Sequence, residues 1–417
     1  MSASQSNRGS AAIVSKQQSS SHHARLGVIC DFVEENWPSM DLVADMLLAQ
    51  LRNGPPTGID VERIRPPMAR RFTREGCSSS KLAFSADRLF NRFWDYPRFL
   101  RTYREAFDVF HVVDHSYAQL VLELPPGRTL VTCHDTDAFR CLLYPDGVSS
   151  APFRAMARRI LRGLRMAALV VCPSLATYDM LRAHNLIAKE KLRVVPLGAH
   201  PSCSAQPDRP ADLQARLLLG EPGAGGANLL HVGSTVPRKR IDFLLRIFAQ
   251  VKNQFPGVRL VHVGGQLTPR QESIVDELKL RDSVLVLPWL DRQVLAAVYR
   301  QATAVLLPSE REGFGLPVIE AMACGTPVVA SDLLALREVG GDSAIYCPVS
   351  NAANWTEAIS GLLLERHDAP DAWQARRNRA ILQASRFTWT NYTRRMVTIY
   401  REVLSGVSPI FGEFASC

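Results

Sequence analysis

The sequence contains no apolar run of the roughly 18–20 residues that a spanning helix requires, so no transmembrane segment is expected. It has no Cys-x-x-Cys pair either; the nine cysteines are scattered singly and odd in number. That speaks against a zinc or disulfide framework and fits a reducing cytoplasm, with Cys133 and Cys324 as small core residues. No Gly-x-Gly-x-x-Gly turn follows any candidate strand, which disfavours a nicotinamide or flavin enzyme. The net charge of +9 comes without an RNA- or DNA-binding motif and without interleaved aromatics, so nucleic acid is not an expected partner. Residues 1–23 are rich in Ser and Gln and lack an apolar core. They read as a disordered tail, neither secretory signal nor anchor.

What is present is an ordinary globular composition, 47% hydrophobic and 21% charged over 417 residues, enough for two domains with separate cores. Short apolar runs alternate with helical periodicity along the chain. In the first half, strands are expected near 25–33, 109–113, 129–133, 168–172 and 192–196, with a helix over 41–51. Residues 198–227 turn to Pro, Gly, Ala and Ser and read as a linker. Beyond it the alternation restarts, with strands at 228–233, 259–263, 284–287, 304–307 and 328–330 and helices at 241–254, 269–278 and 292–301. Apolar runs without polar alternation suit parallel strands buried on both faces. The fold class is therefore α/β, two doubly wound halves, whose ligands bind outside the strand C-termini.

The excess positive charge leaves two partners open, an anionic small substrate or an anionic membrane face. A helix-like stretch over 153–168 carries Arg154, Arg158, Arg159, Arg162 and Arg165 among apolar Met156, Ile160, Leu161 and Leu164. Such a pattern suits either a surface helix with a solvated basic face or one lying on anionic lipid.

The most informative segment is Glu312-Gly-Phe-Gly-Leu-Pro-Val-Ile-Glu320, running on into Ala321-Met-Ala-Cys-Gly-Thr-Pro-Val-Val-Ala330. Two carboxylates flank a glycine-bracketed loop and the start of a helix opened by Pro317, a residue tolerated in the first helical turn. Backbone N–H groups at such a helix start favour a phosphate, and carboxylates beside a phosphate suit a hydroxyl-rich partner, a sugar or ribose. Upstream, Val232-Gly-Ser-Thr-Val-Pro-Arg-Lys-Arg240 follows a strand. There Gly233 permits close backbone approach, and Arg238 and Lys239 offer fixed cations to charge developing on a leaving phosphate. In the first half, the strand Thr129-Leu-Val-Thr-Cys-His134-Asp135 ends in two polar groups, where catalytic residues of such sheets sit.

Together these segments resemble the retaining nucleotide-sugar glycosyltransferases of the GT4-type, GT-B superfamily, whose signature is Glu-x7-Glu. The resemblance covers most of residues 25–404, strongest in the second half. It implies two Rossmann-like domains facing each other across a cleft: a tail over 1–24, an acceptor-side domain over 25–205, a nucleotide-sugar-binding domain over 206–385, and a C-terminal helix over 386–417 crossing back. It implies a nucleoside-diphosphate sugar donor, a glycan or lipid-linked glycan acceptor, no cofactor and no divalent metal. By the same resemblance Glu320 holds the ribose hydroxyls and Glu312 contacts the transferred sugar. Gly233, Gly313, Phe314, Gly315 and Leu316 line the donor, Arg238 and Lys239 stabilise its diphosphate, and His134 lies near its sugar. Asp135 orients that histidine or caps the following segment; Trp37 and His115 are acceptor-side candidates. Ser174, Gly198 and Glu338 match family positions and are read as structural, Gly198 permitting a sharp exit from its strand. The first loop departs from the family pattern, with Glu34-Glu-Asn-Trp-Pro-Ser-Met40 replacing a glycine pair, and offers at least a helix N-cap. The setting implied is a cytoplasmic enzyme of polysaccharide biosynthesis, with peripheral contact to the inner membrane face. Two other functions fit the same fold: a nucleotide-sugar epimerase, or a nucleotide-sugar-binding subunit that has lost catalysis.

Overall fold

The computed structural model describes residues 23–73, 81–144, 150–220 and 226–406. The expected disorder of residues 1–22 lies outside them, as do Cys77 and Cys417. His23 precedes a strand that begins at Ala24.

Two six-stranded sheets carry the chain. The first holds β1 (Ala24–Ile29), β2 (Ile59–Ile64), β3 (Val109–Val112), β4 (Thr129–Thr132), β5 (Leu169–Cys172) and β6 (Leu192–Val194), in the order β2-β1-β3-β4-β5-β6. The second holds β7 (Asn228–Val232), β8 (Arg259–Val263), β9 (Val284–Leu287), β10 (Ala304–Leu307), β11 (Val328–Ser331) and β12 (Ile345–Cys347), in the order β12-β11-β10-β7-β8-β9. The strand pairings run parallel throughout. Strands β3, β4, β5, β7 and β10 are buried along their whole length, which is why the sequence shows apolar runs there and not alternation.

Each sheet reverses its winding once, between β1 and β3 in the first and between β7 and β10 in the second. At these switch points the loops leaving neighbouring strands diverge and open a crevice. The expected linker is not featureless: it contains a helix, Arg209–Leu219, capped by the Asp208 side chain, and Arg300 clamps it through Asp212. Gly198 also differs from its expected role, since its φ is not positive. A Cβ there would lie 2.4 Å from the Trp389 nitrogen, so close packing demands the glycine.

The last helix, Trp389–Ser405, lies against the first half from its first turn, where the Thr390 hydroxyl donates to Gln50 at 3.2 Å. Tyr400 hydroxyl pairs with His111 Nδ1 at 2.8 Å, His111 Nε2 pairs with Thr132 at 2.7 Å, and Glu402 pairs with Arg193. Burial pushes His111 down to about 3, so it stays neutral between two hydroxyls. One continuous buried cluster runs from Leu26 and Val43 through Trp389 and Tyr392 to Leu230 and Val305.

The arginine-rich stretch forms the helix Ala151–Met166, but its apolar face is spent within the fold: Ala157, Ile160, Leu161 and Leu164 are buried. Arg158, Arg159 and Arg162 remain exposed beside Phe153 and Met166. Among the described residues, no helix is long and apolar enough to cross a membrane.

Candidate active site

The second sheet's switch point brings the loops after β7 and β10 together. Pro237–Lys239 forms one turn of 3-10 helix, ended by Arg240 in the left-handed region, and this turns both cations toward the β10 loop. Lys239 Nζ donates to Glu312 Oε1 at 2.6 Å, and Ser309 hydroxyl donates to the same oxygen at 2.7 Å. Arg238 donates to Glu312 Oε2 at 3.3 Å and to the Arg311 carbonyl at 3.1 Å. Burial pushes the Glu312 carboxyl up, but Lys239 and Arg238 outweigh it and hold the group below the usual carboxylate range. Arg238 also reaches across the cleft: its Nε lies 3.1 Å from Asp137, and its terminal nitrogen 4.0 Å from Asp135. Arg311 joins Asp137 from the other side at 3.0 Å.

Beyond Glu312 the loop makes its turn through glycines that nothing larger could replace. A Cβ on Gly313 would sit 1.8 Å from the His134 carbonyl oxygen. Gly315 has φ +109, a conformation side chains avoid, and caps the helix Leu316–Ala323 with Pro317 in its first turn. Phe314 is anchored inward against the Phe387 ring, 6.0 Å between centroids, so the loop's backbone faces the cleft. Glu320, on that helix, is buried; Tyr299 hydroxyl donates to it at 3.0 Å, and Arg292 lies 3.6 Å away. Burial raises its carboxyl above the usual range despite both neighbours. At the other loop, Gly233 has φ +154, a backbone conformation that favours glycine, while a Cβ there would meet His231 and the Lys239 stem only at ordinary contact distance, 3.4 and 3.6 Å.

The first sheet presents its own switch-point loops opposite. His134 is buried, and its Nε2 pairs with the Val113 carbonyl at 2.8 Å. Its orienting partner is therefore backbone and not Asp135. That aspartate takes the capping role, accepting from the Asp137 N–H at 3.0 Å and facing His115 at 3.6 Å. His115 lies between Asp135 and Asp114, the latter 3.4 Å away. Trp37 is exposed and donates to Glu35 at 3.2 Å. It, and not a Ser or Asp, is the N-cap of helix Pro38–Asn53, and no side chain caps that helix, contrary to the expectation for this loop. Glu35 is instead buried under Arg92 and Arg88, at 3.6 and 3.9 Å.

Sequence reasoning passed over several groups that complete the site. Asp137 and Arg311 stitch the two halves together, while Tyr299 and Arg292 flank Glu320. Asp31 and Asp114 stand at the ends of β1 and β3 on either side of the first switch point. Burial and Asp114 push the Asp31 carboxyl well up, whereas His115 and Ser116 outweigh burial and hold Asp114 down. Their position just past a strand end was the available signal; their partners, distant in sequence, gave none. Among the described residues, no three His, Cys, Asp or Glu side chains gather to hold a metal.

Two family models match this chain, one on each sheet: "Glycosyltransferase Family 4" over residues 47–202 and "Glycosyl transferases group 1" over residues 224–380. The chain belongs to this glycosyltransferase family. The second match contains Arg238, Lys239 and the whole Glu312–Glu320 unit. Among curated glycosyltransferases, D-inositol 3-phosphate glycosyltransferase of Mycobacterium leprae (strain Br4923) is 34% identical over 215 residues, 49% of each chain. The same-named protein of Acidothermus cellulolyticus is 32% identical over 229 residues, 52% of this chain and 49% of that one. The matched stretch thus spans about half the length of these relatives. In fold, the chain resembles sucrose-phosphate synthase from Thermosynechococcus elongatus, with a TM-score of 0.70 at 21% identity over 92% of this chain and 100% of that one. It also resembles Anabaena HepE in complex with UDP and glucose, with a TM-score of 0.67 at 15% identity over 91% of this chain and 100% of that one. The two-sheet architecture is thus that of the GT-B glycosyltransferases.

Proposed function

We propose that this protein is a retaining, metal-independent glycosyltransferase that moves a sugar from a nucleoside-diphosphate donor to a glycan or lipid-linked glycan in polysaccharide biosynthesis. The observation that carries the reading is the cluster at the second switch point. Two fixed cations, Arg238 and Lys239, stand beside one buried carboxylate, Glu312, with a second, Glu320, on the helix that begins between them. The donor diphosphate would lie over Gly233 and the start of helix Leu316–Ala323, exchanging the Asp135 and Asp137 carboxylates for phosphate oxygens on Arg238. Cations already held in place stabilise the charge that develops as the sugar–oxygen bond breaks, with no divalent ion required. Glu320 accepts from the ribose hydroxyls and Glu312 from the sugar. The acceptor oxygen bonds to the anomeric carbon on the face the phosphate leaves, and its proton passes to the departing phosphate oxygen. His134, packed against Gly313, closes the sugar pocket, while His115, Asp135 and Trp37 line the acceptor side. Support comes also from the relatives: curated ones are named for glycosyl transfer to D-inositol 3-phosphate, and HepE was solved with UDP and glucose.

A cytoplasmic location with contact to an anionic membrane face belongs to the same reading, through the exposed Arg158, Arg159 and Arg162 and not through an apolar face. Sedimentation with phosphatidylglycerol vesicles at low salt, lost at high salt, tests it.

The deciding experiment is a thermal-shift panel of UDP, GDP, ADP and dTDP in EDTA. A nucleotide at 100 times its dissociation constant stabilises by about 2.7 kcal/mol. A shift with one nucleotide that Glu320→Ala abolishes supports the donor site and names its base. No shift with any of the four overturns it. Turnover of donor with acceptor then separates transfer from epimerisation of free donor and from binding alone.

A further inference from the structure

Helix Leu175–Ala183 of the first half points its N-terminus at the second half. Its first amides are orphan donors that an ordinary helix satisfies with its own cap or with water. Ser174 serves one of them, accepting from the Thr177 N–H at 3.0 Å. The Leu175 and Ala176 N–H groups instead donate to the two carboxylate oxygens of Glu338, each at 2.8 Å, although Glu338 stands more than 160 positions away on helix Leu334–Gly340. A carboxylate placed there also meets the positive end of the helix dipole.

The same helix end grips the donor loop. Ser174 and Thr177 hydroxyls donate to the Gly313 carbonyl at 2.6 and 3.1 Å. Leu336, two residues before Glu338 on its helix, packs where Gly315 lacks a side chain; a Cβ there would lie 2.7 Å from Leu336 Cδ2. One helix start therefore holds both the loop beside Glu312 and the helix behind it, and it does so only when the two halves are together.

We propose that Glu338 is the closure latch of this protein: a positioning residue whose carboxylate caps a helix across the cleft and so seats the Gly313–Gly315 loop against His134. The role rests on the transferase reading above, yet its contact is measurable without activity. Glu338 touches neither Arg238, Lys239 nor Glu320 among the contacts described, so nucleotide binding to the second half is expected to survive its loss. Turnover, which needs the halves together, is not.

Amide hydrogen exchange on the full chain, with and without saturating UDP, tests the latch alongside steady-state kinetics. In Glu338→Ala, exchange at Leu175 and Ala176 should quicken by about tenfold or more, as two charge-assisted hydrogen bonds are lost. The turnover number should fall by a similar factor, with UDP affinity within about twofold of the wild type. Glu338→Gln keeps one acceptor oxygen and should fall between the two. Unchanged exchange at these amides, or full turnover in Glu338→Ala, would overturn the latch. A melting midpoint within a few degrees of wild type in Glu338→Gln guards against a fold defect. A wild type that binds none of the nucleotides sinks the transferase reading separately, while the exchange result still decides the cap.

Discussion

Lys239 Nζ lies 2.6 Å from Glu312 Oε1, although the two residues stand 73 positions apart on different loops. The pair exists because β7 and β10 are neighbours in the sheet while their loops diverge at the switch point. Glu312 is nearly enclosed, so its ionised state depends on Lys239 and Arg238. Lys239→Ala is therefore expected to cost about 1–3 kcal/mol of stability, limited because Arg238 and Ser309 remain. Transfer should slow by on the order of 10²–10³, the scale for one preorganised charge-stabilising group. Denaturant melts and initial rates measure the two; less than about threefold loss of rate would mean that Lys239 only neutralises Glu312 and takes no part in transfer.

Glu320 and Glu312 are predicted to separate in their effects. Burial raises the Glu320 carboxyl above the usual range, and Arg292 and the Tyr299 hydroxyl oppose that rise. A ribose hydroxyl needs the ionised form as acceptor, so nucleotide affinity should increase as pH rises through the Glu320 pKa and weaken below it. Tyr299→Phe removes a hydrogen bond that favours the carboxylate, so the midpoint of that profile should move to higher pH. Glu320→Ala should weaken nucleotide binding and flatten the profile, whereas Glu312→Ala chiefly lowers turnover. Calorimetric titration of UDP between pH 5 and 8 reads both, and identical binding and rates in the two alanine variants would refute the division of labour.

The sequence announced the second half far better than the first. Strands β8, β9 and β10 begin and end where expected, and β10, an inner strand buried on both faces, is apolar throughout. Two of the four edge strands escaped. β2 reads Ile-Asp-Val-Glu-Arg-Ile with its charged residues turned outward, and β12 has only three residues. For the site, Glu312, Glu320, Arg238 and Lys239 were legible as a local motif flanked by glycines. Asp137, Arg311, Tyr299 and the Glu338 cap were not, since each acts through a partner that only the folded chain supplies. Glycines were legible as types but not as reasons: Gly198 proved to be a packing residue, while Gly313 answers to a carbonyl in the other half.

Asp31 and Asp114 give a pH prediction. Burial, then Asp114, raise Asp31 from the ordinary value near 3.9 to about 8, so the folded state binds a proton that the unfolded chain releases. Such a group adds stability that is fully present below about pH 4 and lost as pH rises through about 8. Asp31→Asn mimics the neutral acid and should remove this loss. The stability of the variant relative to wild type should therefore rise from pH 5 to pH 8. Urea melts at the two pH values measure it; a difference between variant and wild type that stays the same at both would show that Asp31 is ionised in the fold.

Gly313 offers the sharpest steric test. Its missing side chain is where the His134 carbonyl oxygen sits, 1.8 Å from an ideal Cβ, and a backbone oxygen cannot swing aside as a flexible side chain can. Gly313→Ala can be relieved only by drawing the β10 loop and the β4 loop apart. That would also lengthen the Ser174 and Thr177 hydrogen bonds to the Gly313 carbonyl. A displacement of about 1 Å at a reacting centre is worth about 10² in rate, so turnover should fall by roughly that factor. Arg238, Lys239 and Glu320 stay on their own sheet, and UDP affinity should therefore hold within about threefold. Rates and UDP titrations on this one variant thus separate closure from donor binding: a variant that turns over normally would mean that the two halves need not meet at His134, and one that loses UDP would place the nucleotide against the first half.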